Sequence, residues 1–186
     1  LDKWFKYIDA YQSNQTGKIQ EILDSNSGKT AIVVGDGVSW EFSKDIISNI
    51  HNKSYKLSSN YIFAGLPSET EHNMSQLYVA TGEVLPTKKK RENYLVKTNE
   101  DKSIAFIDLE NVNETTDAAH YLICSYKDPD KLGETYQQKA LKYFDDVAKT
   151  FAAKIQQLLQ NGYKNVYLVT DHGYTLTGIL ENSDKI

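Results

Sequence analysis

The segment Thr30-Ala-Ile-Val-Val-Gly-Asp-Gly37 joins a run of apolar and β-branched residues directly to an acidic turn. Its first five residues do not alternate between apolar and polar types, which is typical of a strand buried on both faces. Further short runs of this kind lie at 61–64, 103–107, 121–124 and 166–170. Together these runs predict an α/β fold with a mainly parallel central sheet.

A long helix is predicted between the last two runs, from about residue 133 to 161. Apolar side chains recur there at intervals of three and four, and the pair Asn161-Gly162 is typical of a helix end. The strand at 121–124, this helix and the strand at 166–170 are therefore expected to form a right-handed βαβ unit. Ligands of such folds bind beyond the carboxyl ends of the strands, so the residues that follow each strand are candidates for a site.

The length and charge of the chain limit its organisation. Its 186 residues suit one compact domain, and we expect a helical lead-in or linker over 1–28 and the domain over 29–186. Acidic residues outnumber basic ones by 25 to 21, which argues against a general nucleic-acid coat. The basic run at 88–91 is predicted to be a solvated loop or a local attraction for an anionic substrate.

The sequence predicts a cytoplasmic protein that does not associate with membranes. It has no apolar run of the roughly 20 residues that cross a bilayer, and residues 1–11 lack the apolar stretch of a signal peptide. Its single cysteine, Cys124, cannot form an internal disulfide, and its apolar neighbours indicate a buried side chain rather than a nucleophile.

Acidic residues follow the first and last strands. Asp36 lies between two glycines and is either a turn residue that accepts a local hydrogen bond or a carboxylate that points into the cleft. The pair Asp171-His172 precedes a glycine and is either a surface turn or two ligands of one metal ion, since carboxylate oxygen and imidazole nitrogen both bind Zn²⁺ and Mn²⁺.

Two further groups of candidate site residues follow the apolar runs at 61–64 and 121–124. Thr70 precedes a short helical pattern, so its hydroxyl either caps the helix or lies beside an anion site as a nucleophile, with Asn73 one turn further on. Asp130 and Glu134 lie at the start of the long helix, where acids either favour the helix dipole or serve as hard oxygen ligands.

The order of these motifs resembles the alkaline phosphatase superfamily. Asp-Gly, Pro-x-x-Thr-x-x-Asn, Asp-x-x-Gly-Glu and Asp-His-Gly follow one another along residues 30–175. The segment 67–73, with Thr81-Gly82 and Leu85-Pro86 after it, is similar to the nucleophile segment of the phosphodiesterase-like branch. Within it the chain looks most like PglZ domains, known mainly from bacterial phage-defence systems. The resemblance implies a three-layer alkaline phosphatase-like sandwich.

The resemblance also implies a site with two divalent metal ions, zinc being expected and manganese or magnesium being the alternatives. It assigns the first ion to Asp36, Thr70, Asp171 and His172, and the second ion to Asp130 and Glu134. Thr70 would be the nucleophile, and Asn73 would donate to the phosphoryl oxygens. The superfamily completes its second site with a histidine further along the chain, and no histidine follows His172. The domain is therefore expected to be incomplete at its C-terminal end.

The function expected from the resemblance is metal-dependent hydrolysis of a phosphoester, either a phosphodiester or a phosphomonoester. Its substrate would be a phosphoester such as a nucleotide or nucleic acid, and other proteins of a defence complex would be its partners. One alternative is an inactive scaffold or binding module in a defence or signalling complex, favoured by Glu134, where the superfamily usually has histidine. Another is an unrelated receiver-like domain with Asp36 as its phosphoacceptor.

Overall fold

The computed structural model describes residues 15–52, 54–65, 69–126 and 141–173. The helices and strands follow in chain order as α1 (Lys18–Ser25), β1 (Thr30–Gly35), α2 (Trp40–Ser48), α3 (Thr70–Tyr78), α4 (Lys88–Thr98), β2 (Ile104–Asp108), β3 (Tyr121–Tyr126), α5 (Leu141–Gln160) and β4 (Asn165–Thr170). A single 3-10 turn at Leu109–Asn111 follows β2.

The four strands form one all-parallel sheet in the order β2-β3-β1-β4. Strand β1 pairs with β3 on one side and β4 on the other, and Gly35 at its end is level with Tyr126 and Thr170. These three strands therefore end at the same edge of the sheet. The residues that leave them, starting with Asp36 and Asp171, enter the same space.

Helices cover both faces of the sheet. Ala31 and Val33 of β1 pack on one face against apolar side chains of α2 and α5, and Ile32 and Val34 pack on the other against α1, α3 and α4. The fold is thus a three-layer α/β sandwich around a parallel sheet, which confirms the predicted class. The alternation of β1 side chains between two apolar layers is the physical reason for its unbroken apolar sequence.

Most of the predicted elements are present. Strands were expected at 30–34, 103–107, 121–124 and 166–170, and each expected run overlaps a strand of the sheet. Helix α5 fills 141–160 of the helix predicted over 133–161, and residues 133–140 lie outside the described part. Helix α1 buries Ile19, Ile22 and Leu23 against the sheet.

The strand predicted at 61–64 is wrong. Only Phe63 makes an isolated bridge there, and Tyr61 is 58% exposed. The aromatic side chains that made this run look like a strand instead contact one another and Trp40 at the surface. The run is apolar because of these ring contacts and because Ile62 packs against the core beside α3, not because it belongs to the sheet.

Two features bear on the predicted environment of the chain. Within the described ranges, no helix combines the length and hydrophobicity that crossing a bilayer requires. Cys124 is fully buried, as predicted, and burial raises the pKa of its thiol to about 12. A thiol in this setting is protonated at neutral pH and does not act as a nucleophile.

The packing between the sheet and α5 can be tested at Phe151, which is fully buried between Tyr126 and Phe42 with ring centroids 4.7 and 6.3 Å away. Phe151→Ala should lower the free energy of unfolding by about 3–5 kcal/mol, because it leaves a cavity, and Phe151→Leu should cost less. Urea denaturation measures both values. Val96→Ala on the exposed face of α4 is the control and should change stability by less than about 0.5 kcal/mol. A loss below about 1 kcal/mol for Phe151→Ala would contradict this packing.

Candidate metal centre

Four of the residues predicted for the site converge at the edge of the sheet where β1 and β4 end. Asp36 follows β1, and Asp171 and His172 follow β4, so the pairing of Gly35 with Thr170 brings their backbones together. Thr70 is the first residue of α3, and its hydroxyl reaches the same point. The three titratable side chains are buried, and Asp171 is completely inaccessible to solvent.

The reactive atoms of these side chains are separated by short distances, of which two join the Thr70 hydroxyl to its neighbours and two join the His172 ring to the carboxylates. Oγ1 of Thr70 is 2.9 Å from Nε2 of His172 and 3.4 Å from Oδ1 of Asp36. The same Nε2 is 3.3 Å from Oδ2 of Asp171 and 3.7 Å from Oδ1 of Asp36. One nitrogen and three oxygens thus surround a common point.

Backbone groups hold the two acidic turns in place. The amide of Gly37 donates to Oδ1 of Asp171 (3.2 Å), and the amide of Val38 donates to the Thr170 hydroxyl (3.1 Å). Gly37 has a φ of 69°, a left-handed backbone conformation that residues other than glycine rarely adopt. The glycine after Asp36 is therefore needed for the turn that presents its amide to Asp171.

The imidazole of His172 is oriented by the residue after it. Nδ1 lies 3.2 Å from the carbonyl oxygen of Gly173, and a carbonyl oxygen can only accept, so Nδ1 carries the proton. In the neutral ring Nε2 then presents a lone pair to the other three side chains. Gly173 itself packs on Ser39, where a Cβ would lie 3.0 Å from the Ser39 Cα. This close approach explains why glycine follows the Asp-His pair.

The centre concentrates negative charge in a place that water does not reach. The pKa of Asp171 is raised to about 6, first by burial and then by the neighbouring charge of Asp36, while His172 and backbone amides act in the opposite direction. Among the described residues, no hydrogen bond reaches Oδ2 of Asp171. Burying a carboxylate oxygen without a hydrogen-bond donor destabilises the folded state, and a cation bound at that oxygen would remove this destabilisation.

The donor set and its spacing fit a divalent cation. Asp36, Asp171 and His172 each offer a ligand atom within 4.8 Å of the others. Four ligands at tetrahedral bond lengths of about 2.0–2.1 Å are separated from one another by about 3.3 Å. The four interatomic distances of the centre run from 2.9 to 3.7 Å and bracket that value. Imidazole nitrogen with carboxylate oxygen suits zinc or manganese, and the second carboxylate with a hydroxyl also suits magnesium.

The structure also places Thr70 relative to the start of α3. Glu69 is in the N-cap position and its side chain makes no capping hydrogen bond, while Thr70 is the first helical residue. The Thr70 hydroxyl is directed at His172 and Asp36. Of the two interpretations left open by the sequence, the arrangement favours the one in which this hydroxyl belongs to the site.

The remaining predicted residues are not part of this cluster. Asn73 is fully buried, its Oδ1 accepts from the amide of Gly65 (2.7 Å) and from Gln15 Nε2 (2.5 Å), and its Nδ2 donates to the Gly65 carbonyl (3.3 Å). It ties the segment before α3 to that helix, and its contact with a phosphoryl group stays a prediction. Asp130 and Glu134 lie outside the described residues, so the second metal ion also stays a prediction.

One residue near the centre was not predicted from the sequence. Arg91 is buried and donates from Nη1 to the carbonyl of Leu85 (2.9 Å). Burial lowers the pKa of its guanidinium, and the neighbouring Tyr78 side chain and the carboxylates of Asp171 and Asp36 partly oppose that effect. The basic run at 88–91 is helical, not a loop, and the spacing of four between Arg91 and the buried Leu95 is the signal that places Arg91 on the inner face.

Neither a model of a known protein family nor a curated protein matches this chain.

The charge at the centre predicts how Asp171 affects stability in metal-free protein. Because its folded pKa of about 6 exceeds the ordinary value of 3.8, the folded state binds more protons between these pH values, and stability falls as pH rises through them. With a chelator present, Asp171→Asn should be more stable than the parent by about 1–3 kcal/mol at pH 8, and the difference should shrink towards pH 4. Urea denaturation across this range measures it.

The matched control is Asp146→Asn, which neutralises an exposed aspartate of α5. It should change stability little at any pH, because solvent screens the charge. If the difference in unfolding free energy between Asp171→Asn and the parent does not vary with pH, Asp171 is not a destabilised carboxylate.

Proposed function

We propose that this chain is a metal-dependent phosphoester hydrolase in which Thr70 is the nucleophile. The observation that carries the proposal is the convergence of the Thr70 hydroxyl with two buried carboxylates and the Nε2 lone pair of His172. A threonine hydroxyl is a weak nucleophile unless a base or a metal ion removes its proton. Asp36 and His172 are bases within reach of the hydroxyl, and the same side chains with Asp171 could hold a metal ion beside it.

Asp36, Asp171 and His172 are the residues that would hold a metal ion, with Thr70 as a further ligand. Bound there, a divalent cation would supply positive charge that lowers the pKa of a coordinated hydroxyl and stabilises phosphoryl oxygens. The buried Oδ2 of Asp171, which no donor among the described residues reaches, supports this assignment. The Gly173 carbonyl fixes the ring of His172, as carbonyl groups do for many histidine ligands.

The Thr70 hydroxyl has two acceptors for the proton that it must lose. His172 Nε2 is at 2.9 Å and Asp36 Oδ1 is at 3.4 Å. The single lone pair of Nε2 cannot hold a cation and accept a proton at once, whereas the two oxygens of the Asp36 carboxylate could do both, so Asp36 is the acceptor when His172 is a ligand. The bond from Oγ1 to phosphorus forms as the ester bond breaks, and the proton that Asp36 accepted from Thr70 passes to the leaving alkoxide.

A second displacement completes the reaction. A water molecule attacks the phosphorus of the phosphothreonine, the bond to Oγ1 breaks, and the proton of the water restores the Thr70 hydroxyl. The amino end of α3 favours the negative charge of the phosphoryl group, because its first amide groups and the helix dipole point towards it. The N-cap residue Glu69 makes no side-chain hydrogen bond to these amides.

The wider expectations belong to the same proposal and rest on the sequence resemblance. They are membership of the PglZ-like group, a nucleotide or nucleic-acid phosphoester as substrate, protein partners in a defence complex, and a cytoplasmic location. A scaffold without turnover is the alternative, and the two experiments below separate it from an enzyme.

The nucleophile can be tested by removing one hydroxyl. Thr70→Val keeps the shape of the side chain and should lower the rate of hydrolysis of bis(p-nitrophenyl) phosphate, measured with added Zn²⁺ or Mn²⁺, by at least about 1,000-fold. Thr70→Ser keeps the hydroxyl and should retain a measurable part of the rate. Thr150→Val on α5 removes a hydroxyl that donates to a helix carbonyl and is the matched control. An unchanged rate in Thr70→Val would remove Thr70 from the mechanism.

The metal centre can be tested by binding alone. Isothermal titration with Zn²⁺ should detect a site in the parent protein, and His172→Gln should weaken it by at least about 100-fold because a buried ligand is lost. His51→Gln changes an exposed histidine and should leave the affinity unchanged. Affinity that depends equally on both histidines would contradict the centre, and absence of any binding would favour the scaffold.

A further inference from the structure

An exposed cluster of aromatic rings lies outside the metal centre and has no role in the mechanism above. Trp40 is 39% exposed and Tyr61 is 58% exposed, and their rings meet edge to face with centroids 6.4 Å apart. Phe63 contacts Tyr61 in the same way at 5.7 Å. We call Trp40 and Tyr61, with Phe63 behind them, the aromatic platform. Large apolar side chains held at the surface in this way commonly mark a binding site.

Trp40 of the platform is connected to the metal centre through the residue before it, Ser39. Trp40 follows Asp36 by four residues, which limits the separation of their Cα atoms to about 14 Å. Ser39 packs directly on Gly173, the residue after His172. Trp40 thus directly follows a residue that packs on the turn after His172.

Tyr61 and Phe63 of the platform are connected to the same centre through α3. Gly65, two residues after Phe63, donates its amide to Asn73, which is one turn along the helix from Thr70. The contact between Tyr61 and Trp40 thus joins the segment before the nucleophile to the segment after the metal-binding Asp36. Both of these segments lead in the chain to residues of the metal centre, Thr70 on one side and Asp36 on the other.

The size and surroundings of the platform indicate what it binds. Glu41, Lys44 and Asn60 are exposed beside it, so its apolar area is limited to the rings. Stable protein interfaces bury about 800 Å² on each partner, far more than two half-exposed rings provide. Two rings at 82° to each other suit a single planar group that stacks on one ring and meets the edge of the other.

A positive charge accompanies the rings. Nζ of Lys44, one turn along α2 from Trp40, lies 5.3 Å from the centre of the Trp40 ring. A planar aromatic group joined to a phosphate matches this combination of stacking surface and cation. Nucleotides have that combination, with the base and the phosphate separated by a sugar.

Resting on the proposed phosphoester chemistry, we infer that the aromatic platform stacks the base of a nucleotide whose phosphodiester lies at Thr70. The substrate class is then a nucleotide or single-stranded nucleic-acid phosphodiester, and the platform selects it over phosphoesters of alkyl alcohols. Every base has a flat π-face, so stacking of this kind tolerates different bases.

Tryptophan fluorescence tests the inference without relying on turnover. The chain has two tryptophans, so Trp4→Phe leaves Trp40 as the only one. In this background, adenosine monophosphate should quench the emission of Trp40 in a saturable manner, while ribose 5-phosphate at the same concentrations should not. The same titration with Thr70→Val added reports base binding in a protein that lacks the proposed nucleophile.

Variants of the full chain then assign the binding, measured by equilibrium dialysis with radiolabelled adenosine monophosphate. Tyr61→Ala and Trp40→Ala should each weaken it by between about 5- and 100-fold, and Trp40→Phe should retain most of it because a ring remains. Val96→Ala, which removes an exposed apolar side chain of α4, should have no effect.

Four results decide the matter. Loss of nucleotide binding in Trp40→Ala together with quenching in the parent supports the platform. Equal affinity for adenosine monophosphate and ribose 5-phosphate overturns it, even if hydrolysis depends on Thr70. A change of oligomeric state in Trp40→Ala, measured by light scattering, with nucleotide binding intact also overturns it and indicates a protein interface. Platform-dependent binding with hydrolysis that does not require Thr70 upholds the platform and refutes the proposed nucleophile.

Discussion

The parallel pairing of β1 with β4 places Gly35 beside Thr170, and the chain leaves both strands at the same level. Two acidic turns therefore occupy one space, and each supports the other: the Gly37 amide after the first aspartate donates to the second one, Asp171. A shift of either strand by one residue would separate these groups and exchange the buried faces of the strand. Ala31 and Val33 fit one close-packed layer and Ile32 and Val34 fit the other, so such a shift would place side chains of the wrong size in both layers.

The buried carboxylates at this edge of the sheet lower the stability of the fold. Burial that raises the pKa of Asp171 to about 6 also makes its ionised form costly in the absence of a cation. The sheet and its two apolar layers supply the stability that holds the carboxylates together. Arg91 adds a buried positive charge nearby, and its cost is offset by hydrogen bonding to Leu85 and by the acidic groups. A group of this kind could bind a cation without rearranging, because its potential ligand atoms already lie within 4.8 Å of one another.

The comparison of sequence and structure is clearest at particular residues. The strands at 30–35 and 165–170 were recognisable because burial on both faces leaves an unbroken apolar run, and Asp36, Asp171 and His172 were recognisable because they follow such strands. The run at 61–64 has the same appearance and is not a strand, because aromatic rings in contact at a surface give the same composition as a buried strand. The burial of Arg91 was not predicted, because the basic run at 88–91 looks exposed. Only the helix geometry shows which of the four basic residues faces inward.

The residue types and their order along the chain were enough to establish the α/β class, the layered arrangement expected of continuous apolar strands, and the carboxylates, imidazole and hydroxyl available for chemistry. Tertiary structure alone decided that Thr70 Oγ1 lies 2.9 Å from His172 Nε2, that Asn73 is bound to Gly65, and that Trp40 meets Tyr61. These contacts join residues up to 102 positions apart. Local sequence sets backbone preference and the periodicity of burial, whereas contacts at such separations depend on strand order and helix packing, which many sequences share and no short motif encodes.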